Sequence, residues 1–72
     1  MHFYQRLRDL REDADKSQKE IADLLKTSQS YYAQYENGKR SLPFERAMQL
    51  AHYYNVSLDY LAGFVDTPRK LY

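Results

Sequence analysis

The run from Gln18 to Arg40, QKEIADLLKTSQSYYAQYENGKR, leaves little choice about how it folds. Ile21, Ala22 and Leu25 stand at i, i+1 and i+4 on one helical face, and seven residues beyond Leu25 a second apolar pair opens with Tyr32 and Tyr35 at i+3. Only Lys26, Thr27 and Ser28 separate the two segments, so the chain must turn a tight corner and lay the second helix across the first. Ala22 suits that crossing, because a long side chain there would hold the helices apart. The first turn of the second helix then keeps Gln29, Ser30 and Gln34 facing outward.

The rest of the chain must support this corner with few residues. At 72 residues it is one domain, near the lower limit for folding on an apolar core alone. The absence of cysteine excludes a disulfide framework, a thiolate metal site and a thiol nucleophile, and suits a reducing cytoplasm, the expected location. MHFYQRLRDL carries charges where a signal peptide needs a continuous apolar run, and no stretch is long enough to span a bilayer. Net charge is only +1, so the placement of charge matters more than its sum. Lys16 to Arg40 holds five basic residues against three acidic, and the remainder six against seven. That small excess has an ordinary reading as two solvated helix faces.

Five helices follow from the pattern. Phe3, Leu7 and Leu10 at i, i+4 and i+7 give the first, with Arg6, Arg8, Asp9 and Glu12 on its wet side, fading by about Asp13 to Asp15. Ser17 and Glu20 form an S-x-x-E capping box for the second, and Ser28 caps the third, which Asn37-Gly38 ends. Ser41, Leu42 and Pro43 lead into a fourth with Pro43 in its first turn, carrying Ala47, Leu50, Ala51 and Tyr54 inward. Ser57 caps a short fifth helix with Leu58 and Leu61 facing inward, closed by Gly63. FVDTPRKLY has no helical period. The expected organisation is a compact all-α domain over residues 1–63 and a tail over 64–72 serving as a dimerisation arm, with no repeat and no sheet.

Several separated elements in one order carry a resemblance: LRxLRE at Leu7 to Glu12, SQxEIA at Ser17 to Ala22, SQSxY at Ser28 to Tyr32, YENGKR at Tyr35 to Arg40, and the closing LAxYYNVSLDYLAG. From Phe3 to Gly63 the chain resembles the Cro/C1-type, or XRE, helix-turn-helix family of bacterial and phage transcriptional regulators. The resemblance implies a five-helix, lambda-repressor-like DNA-binding domain, dimeric on double-stranded DNA, with the third helix in the major groove. It also implies an ion pair between Arg11 and Glu36 that fixes the docking angle of that helix. Two positions depart from the family's habit. Lys26 stands where glycine is common, which asks for a strained backbone or a different turn, and Lys16 replaces an apolar loop residue.

Within that frame Gln29 and Gln34 are the candidates for base readout, because a carboxamide both donates and accepts and so matches adenine N6 and N7. Ser30 can reach a base edge or a phosphate. Tyr31 has two readings, a base and phosphate contact through ring and hydroxyl or a partly exposed packing residue. Phosphate contacts are expected from Gln18 at the start of the second helix and from Thr27, Ser28, Asn37, Lys39 and Arg40 around the third. Lys39 and Arg40 also read as plain solvated loop charges.

Eight tyrosines invite a base-stacking reading, yet Tyr32, Tyr35 and Tyr54 lie on core stripes, and packing is the better account. His2 and His52 are isolated, so no metal is expected, and neither a phosphate loop nor a Ser/His/Asp arrangement supports catalysis or a cofactor. Leu58, Leu61, Phe64, Val65 and Leu71 are the dimerisation candidates, although some must serve the core. The expected function is a sequence-specific, non-enzymatic DNA-binding regulator, a homodimeric repressor on a palindromic operator. Alternatives are an antitoxin with a toxin partner, a restriction-modification controller or a phage immunity regulator of the same fold, and, in another class, a protein-recruiting module without DNA readout.

Overall fold

The computed structural model describes residues 3–63 of the chain. They form α1 (Phe3–Asp13), α2 (Gln18–Leu24), α3 (Gln29–Glu36), α4 (Phe44–Tyr54) and α5 (Leu58–Ala62), with no strand among them. His2 and the tail residues Phe64, Val65 and Leu71 lie outside the described residues.

Three serines start helices by the same chemistry. Ser17 Oγ accepts from Glu20 N at 3.1 Å while Glu20 Oε1 accepts from Ser17 N at 3.0 Å, a complete capping box on α2. Ser28 accepts from Tyr31 N at 3.0 Å and Ser57 from Tyr60 N at 3.1 Å. Each cap contributes about 1 kcal/mol. Pro43 is the N-cap of α4, with no side-chain hydrogen bond, one place ahead of the first turn assigned to it from the sequence.

Four helices stop by one backbone device. After each last turn a single residue takes a left-handed conformation, and two N–H groups turn back onto otherwise orphaned carbonyls in the Schellman pattern. In α2 Lys26 N donates to Asp23 O at 3.1 Å and Thr27 N to Ala22 O at 2.9 Å. The same pair closes α1 (Asp15 to Glu12 and Lys16 to Arg11), α3 (Gly38 to Tyr35 and Lys39 to Gln34) and α4 (Asn55 to His52 and Val56 to Ala51). The left-handed residues are Asp15, Lys26, Gly38 and Asn55, with φ of 59°, 58°, 74° and 56°. Asp and Asn tolerate that region better than most side chains do, whereas lysine has no such advantage. Lys26 therefore turns the corner with the strained backbone that its side chain implied.

The core is one cluster of Leu7, Ile21, Ala22, Leu25, Tyr32, Tyr35, Leu50, Ala51 and Leu61, with Phe3, Leu10, Leu24, Leu42, Ala47, Tyr54 and Leu58 packed against it. Two readings of the sequence need correction. Arg6 is not on the wet side of α1 but 4% exposed, its guanidinium 3.9 Å from the centre of the Tyr60 ring and its Nη1 donating to Tyr60 O at 3.1 Å. A long stem and a ring face on α5 let a permanent charge sit where the periodicity of α1 gave no place for it. Leu61 is 2% exposed, so its side chain serves the core rather than a dimer surface.

The backbone at the helix stops sets two opposite outcomes for urea unfolding. Lys26→Gly relieves the left-handed strain and raises stability by about 0.5 to 1 kcal/mol. Gly38→Ala lowers it by about 1 to 2 kcal/mol, because the new Cβ at φ 74° also falls 3.0 Å from Tyr4 Cε1.

Candidate nucleic-acid interface

The position of α3 depends on a buried carboxylate. Glu36 stands in the last turn of α3 with its side chain 0% exposed. Arg11, at the end of α1, donates from Nε to Glu36 Oε2 at 2.7 Å and from Nη2 to Oε1 at 3.1 Å, a bidentate fork. Arg11 Nη1 also reaches Lys16 O at 2.9 Å, and Gln18 Nε2 donates to Glu36 Oε1 at 3.1 Å from the start of α2. Three helices thus meet on one carboxylate. Burial opposes the ionisation of Glu36, but the Arg11 hydrogen bonds, the adjacent Tyr32 hydroxyl and the Gln18 amide outweigh it and hold the carboxyl below its ordinary value. The Tyr32 hydroxyl lies beside the carboxylate yet outside hydrogen-bond geometry. Burial, with Glu36 nearby, raises the pKa of both Tyr32 and Tyr54.

With its carboxylate withdrawn, α3 presents Gln29, Ser30 and Tyr31 to solvent, with Gln34 half-buried behind them. Thr27 is half-buried and Ser28, Asn37, Lys39 and Arg40 are exposed around the rim. Several of these groups are already engaged. The Ser28 hydroxyl caps α3, the Gln18 amide braces Glu36, and Asn37 Oδ1 accepts from Arg8 Nη2 at 3.3 Å. Arg40 lies 4.4 Å over the Tyr31 ring while its Nε donates to Gln34 Oε1 at 3.2 Å. Arg46, from α4, donates to Tyr35 Oη at 2.7 Å and stands 5.7 Å from the Tyr31 ring centre. The Tyr31 ring packs against Arg40 and Tyr35 while 36% of its surface remains exposed, the arrangement of a partly exposed packing residue.

The helix-turn-helix (HTH_3) family model matches residues 7–61. This chain belongs to the Cro/C1-type helix-turn-helix family. It is 33% identical over 66 residues to the uncharacterized HTH-type transcriptional regulator YobD of Bacillus subtilis (strain 168), covering 92% of this chain and 59% of that protein. It is 33% identical over 70 residues to the HTH-type transcriptional regulator ImmR of the same organism, covering 97% and 55%. The cryptic phage CTXphi transcriptional repressor RstR of Vibrio cholerae is 32% identical over 65 residues, covering 90% and 59%. The chain spans a little over half the length of these relatives. A crystal structure of a transcriptional regulator from Listeria innocua superposes with a TM-score of 0.84 at 27% identity, over 99% of this chain and 64% of that one.

In this helix-turn-helix domain the sequence reading passed over Arg8, Arg46 and an apolar face. Arg8 is 3.7 Å from Glu36 at the rim, and neither it nor Arg46 has a local sequence signal, since both act on partners far along the chain. The apolar face was readable: Phe44 and Met48 stand at i and i+4 on α4, off the Ala47, Leu50, Ala51 stripe, and are 68% and 49% exposed. A groove of about 260 Å³ runs there between Phe3, Leu42, Phe44, Ala47, Leu58, Leu61 and Ala62. Leu58, a dimerisation candidate, is half-buried in its wall. No helix among the described residues is long and apolar enough to cross a membrane, and no group of three His, Asp or Glu among them could hold a metal.

Removing Arg11 alone leaves a buried, uncompensated charge, so Arg11→Ala costs about 3 to 5 kcal/mol in chemical denaturation, while Arg11→Met with Glu36→Met costs far less. The depressed Glu36 carboxyl adds stability that is fully present above the unfolded carboxylate value of about 4.3 and is lost as pH falls through the lower folded value. Acid unfolding of Glu36→Gln is therefore shallower over that window than that of the parent protein.

Proposed function

We propose that this chain is the DNA-binding part of a transcriptional regulator that represses by occupying a two-fold operator as a homodimer. The observation that carries the reading is the outer face of α3. Polar groups suited to base edges stand beside Lys39 and Arg40, and the one carboxylate of that helix is buried and neutralised. Base contacts fall to Gln29, Ser30, Tyr31 and Gln34, and phosphate contacts to Gln18, Thr27, Ser28, Asn37, Lys39 and Arg40. Two copies of α3 would enter successive major grooves about 34 to 36 Å apart. The apolar groove between α1, α4 and α5, with exposed Phe44 and Met48, supports self-association on the side bearing Leu58. Family membership and the likeness to regulators support the DNA-binding reading, and the likeness to RstR, by name a phage transcriptional repressor, favours repression and a phage-type regulator among the alternatives.

Selection of bound duplexes from a random library tests this directly. The protein should enrich a palindrome, and its affinity should fall with salt by about 0.9 logarithmic units per phosphate neutralised for each tenfold rise. Gln29→Ala with Gln34→Ala should abolish enrichment while leaving salt-sensitive binding. Binding without any enriched sequence would instead move the weight to a protein-recruiting role. Sedimentation of the parent should show a dimer that Phe44→Ser weakens by tenfold or more.

A further inference from the structure

We infer that Arg40 is a positioning residue for Gln34, drawing the oxygen of its carboxamide toward the guanidinium so that the NH2 end is the one turned to a base edge and the base it selects is guanine rather than adenine. This rests on the DNA-binding reading and refines the role of one of its residues. An amide side chain ordinarily recognises adenine by accepting from N6 and donating to N7, which requires both ends of the carboxamide. Here the oxygen end already accepts one hydrogen bond and is turned toward a guanidinium, whose N–H groups compete with an adenine N6 amine for the remaining lone pair. Arg40 Nε donates at 3.2 Å, and because a guanidinium has only hydrogens to offer, the atom facing it must be the Gln34 oxygen. The orientation of the amide is therefore set by chemistry, not by a choice between two equivalent placements.

The arrangement is held from several sides. Arg40 N and Lys39 N both donate to the Gln34 carbonyl, at 3.3 and 2.9 Å, so the loop after α3 is tied to the residue its side chain orients. The Arg40 guanidinium lies 4.4 Å over Tyr31, one turn before Gln34 on the same helix, and Arg46 approaches that ring from α4. Ring stacking and the Schellman closure of α3 limit the ways Arg40 can swing away. An NH2 group facing a base finds two acceptors, O6 and N7, on guanine, one on thymine, an acceptor beside a competing donor on adenine, and only a donor on cytosine. Guanine comes first.

Duplex selection with four proteins decides the matter. Gln34→Ala identifies the base pair that Gln34 reads, as the position whose preference it erases. The parent protein should prefer guanine over adenine there by about tenfold or more. Arg40→Met keeps an apolar stem beside Tyr31 but frees the amide oxygen, and should move the preference toward adenine. Gln34→Glu, which pairs with Arg40 and brings no donor, should lose the guanine preference. Weaker binding of Arg40→Met to all sequences alike is the expected loss of a phosphate contact and leaves the base preference as the deciding readout. Adenine in the parent, an unchanged guanine preference in Arg40→Met, or a Gln34→Ala that alters no position would each overturn the inference and leave the regulator reading standing. A parent protein that enriches no sequence would overturn both.

Discussion

A glutamate in the final turn of a helix is poorly placed twice over, since the helix dipole is negative there and burial strips the carboxylate of water. Glu36 stands in that position with no exposed surface, and what makes it tolerable is the fork of Arg11. The pair sets more than its own energy. Arg11 leaves α1, Gln18 leaves α2, and both end on a carboxylate of α3, so the relative placement of the three helices is specified by hydrogen bonds whose geometry cannot slide as an apolar contact can. A buried ion pair is weak evidence for net stability. Here its structural effect is to fix the angle at which α3 leaves the body and to keep a negative charge off the surface where the polar side chains of α3 are displayed.

The same helix is bounded by backbone devices, and the corner before it is the most demanding of them. Lys26 adopts φ 58° without the tolerance that Asp15 and Asn55 bring to equivalent stops. Such a conformation persists only where its surroundings over-determine it. They do so here: Thr27 N and Lys26 N close onto α2, Ser28 caps α3 at once, and Gln49 of α4 donates to Leu24 O at 3.0 Å in the last turn of α2. Ala22, 0% exposed, lets the two helices cross.

How far the sequence revealed this follows from how local each signal is. Ser17 with Glu20, Ser28, Ser57, Gly38 and Gly63 act within a few residues of their own position and marked α2, α3 and α5, while the apolar spacing of Phe3, Leu7 and Leu10 and of Ala47, Leu50, Ala51 and Tyr54 placed α1 and α4. Asp15 and Asn55 were less visible as stops, because either residue is common in loops and only the returning N–H groups show which one takes the left-handed place. Arg6 was misplaced because periodicity assigns a face by polarity, whereas its burial depends on Tyr60, 54 positions away. The inward reading of Leu61 and its candidacy for a dimer surface drew on the same apolar character, and only packing separates the two. Arg40 and Gln34 are six residues apart across a helix stop, a spacing that no helical or strand period relates.

Base-reading and phosphate-binding groups are often treated as separate inventories, but the surface of α3 does not divide that way. Arg40 touches both Gln34 and Tyr31, Arg8 touches Asn37, and the Gln18 amide holds Glu36. Several of the groups nominated for DNA on residue type alone already have a partner within the protein, and that partner limits which atoms remain to be offered. The free donors and acceptors, rather than the names of the exposed residues, therefore define what this surface can recognise. α4 takes part in the same logic, because Arg46 braces Tyr35 and faces Tyr31 while Phe44 and Met48 of that helix are exposed beside the apolar groove. One helix thus joins the polar face of α3 to an exposed apolar face, so a change in how α4 packs would be felt on both.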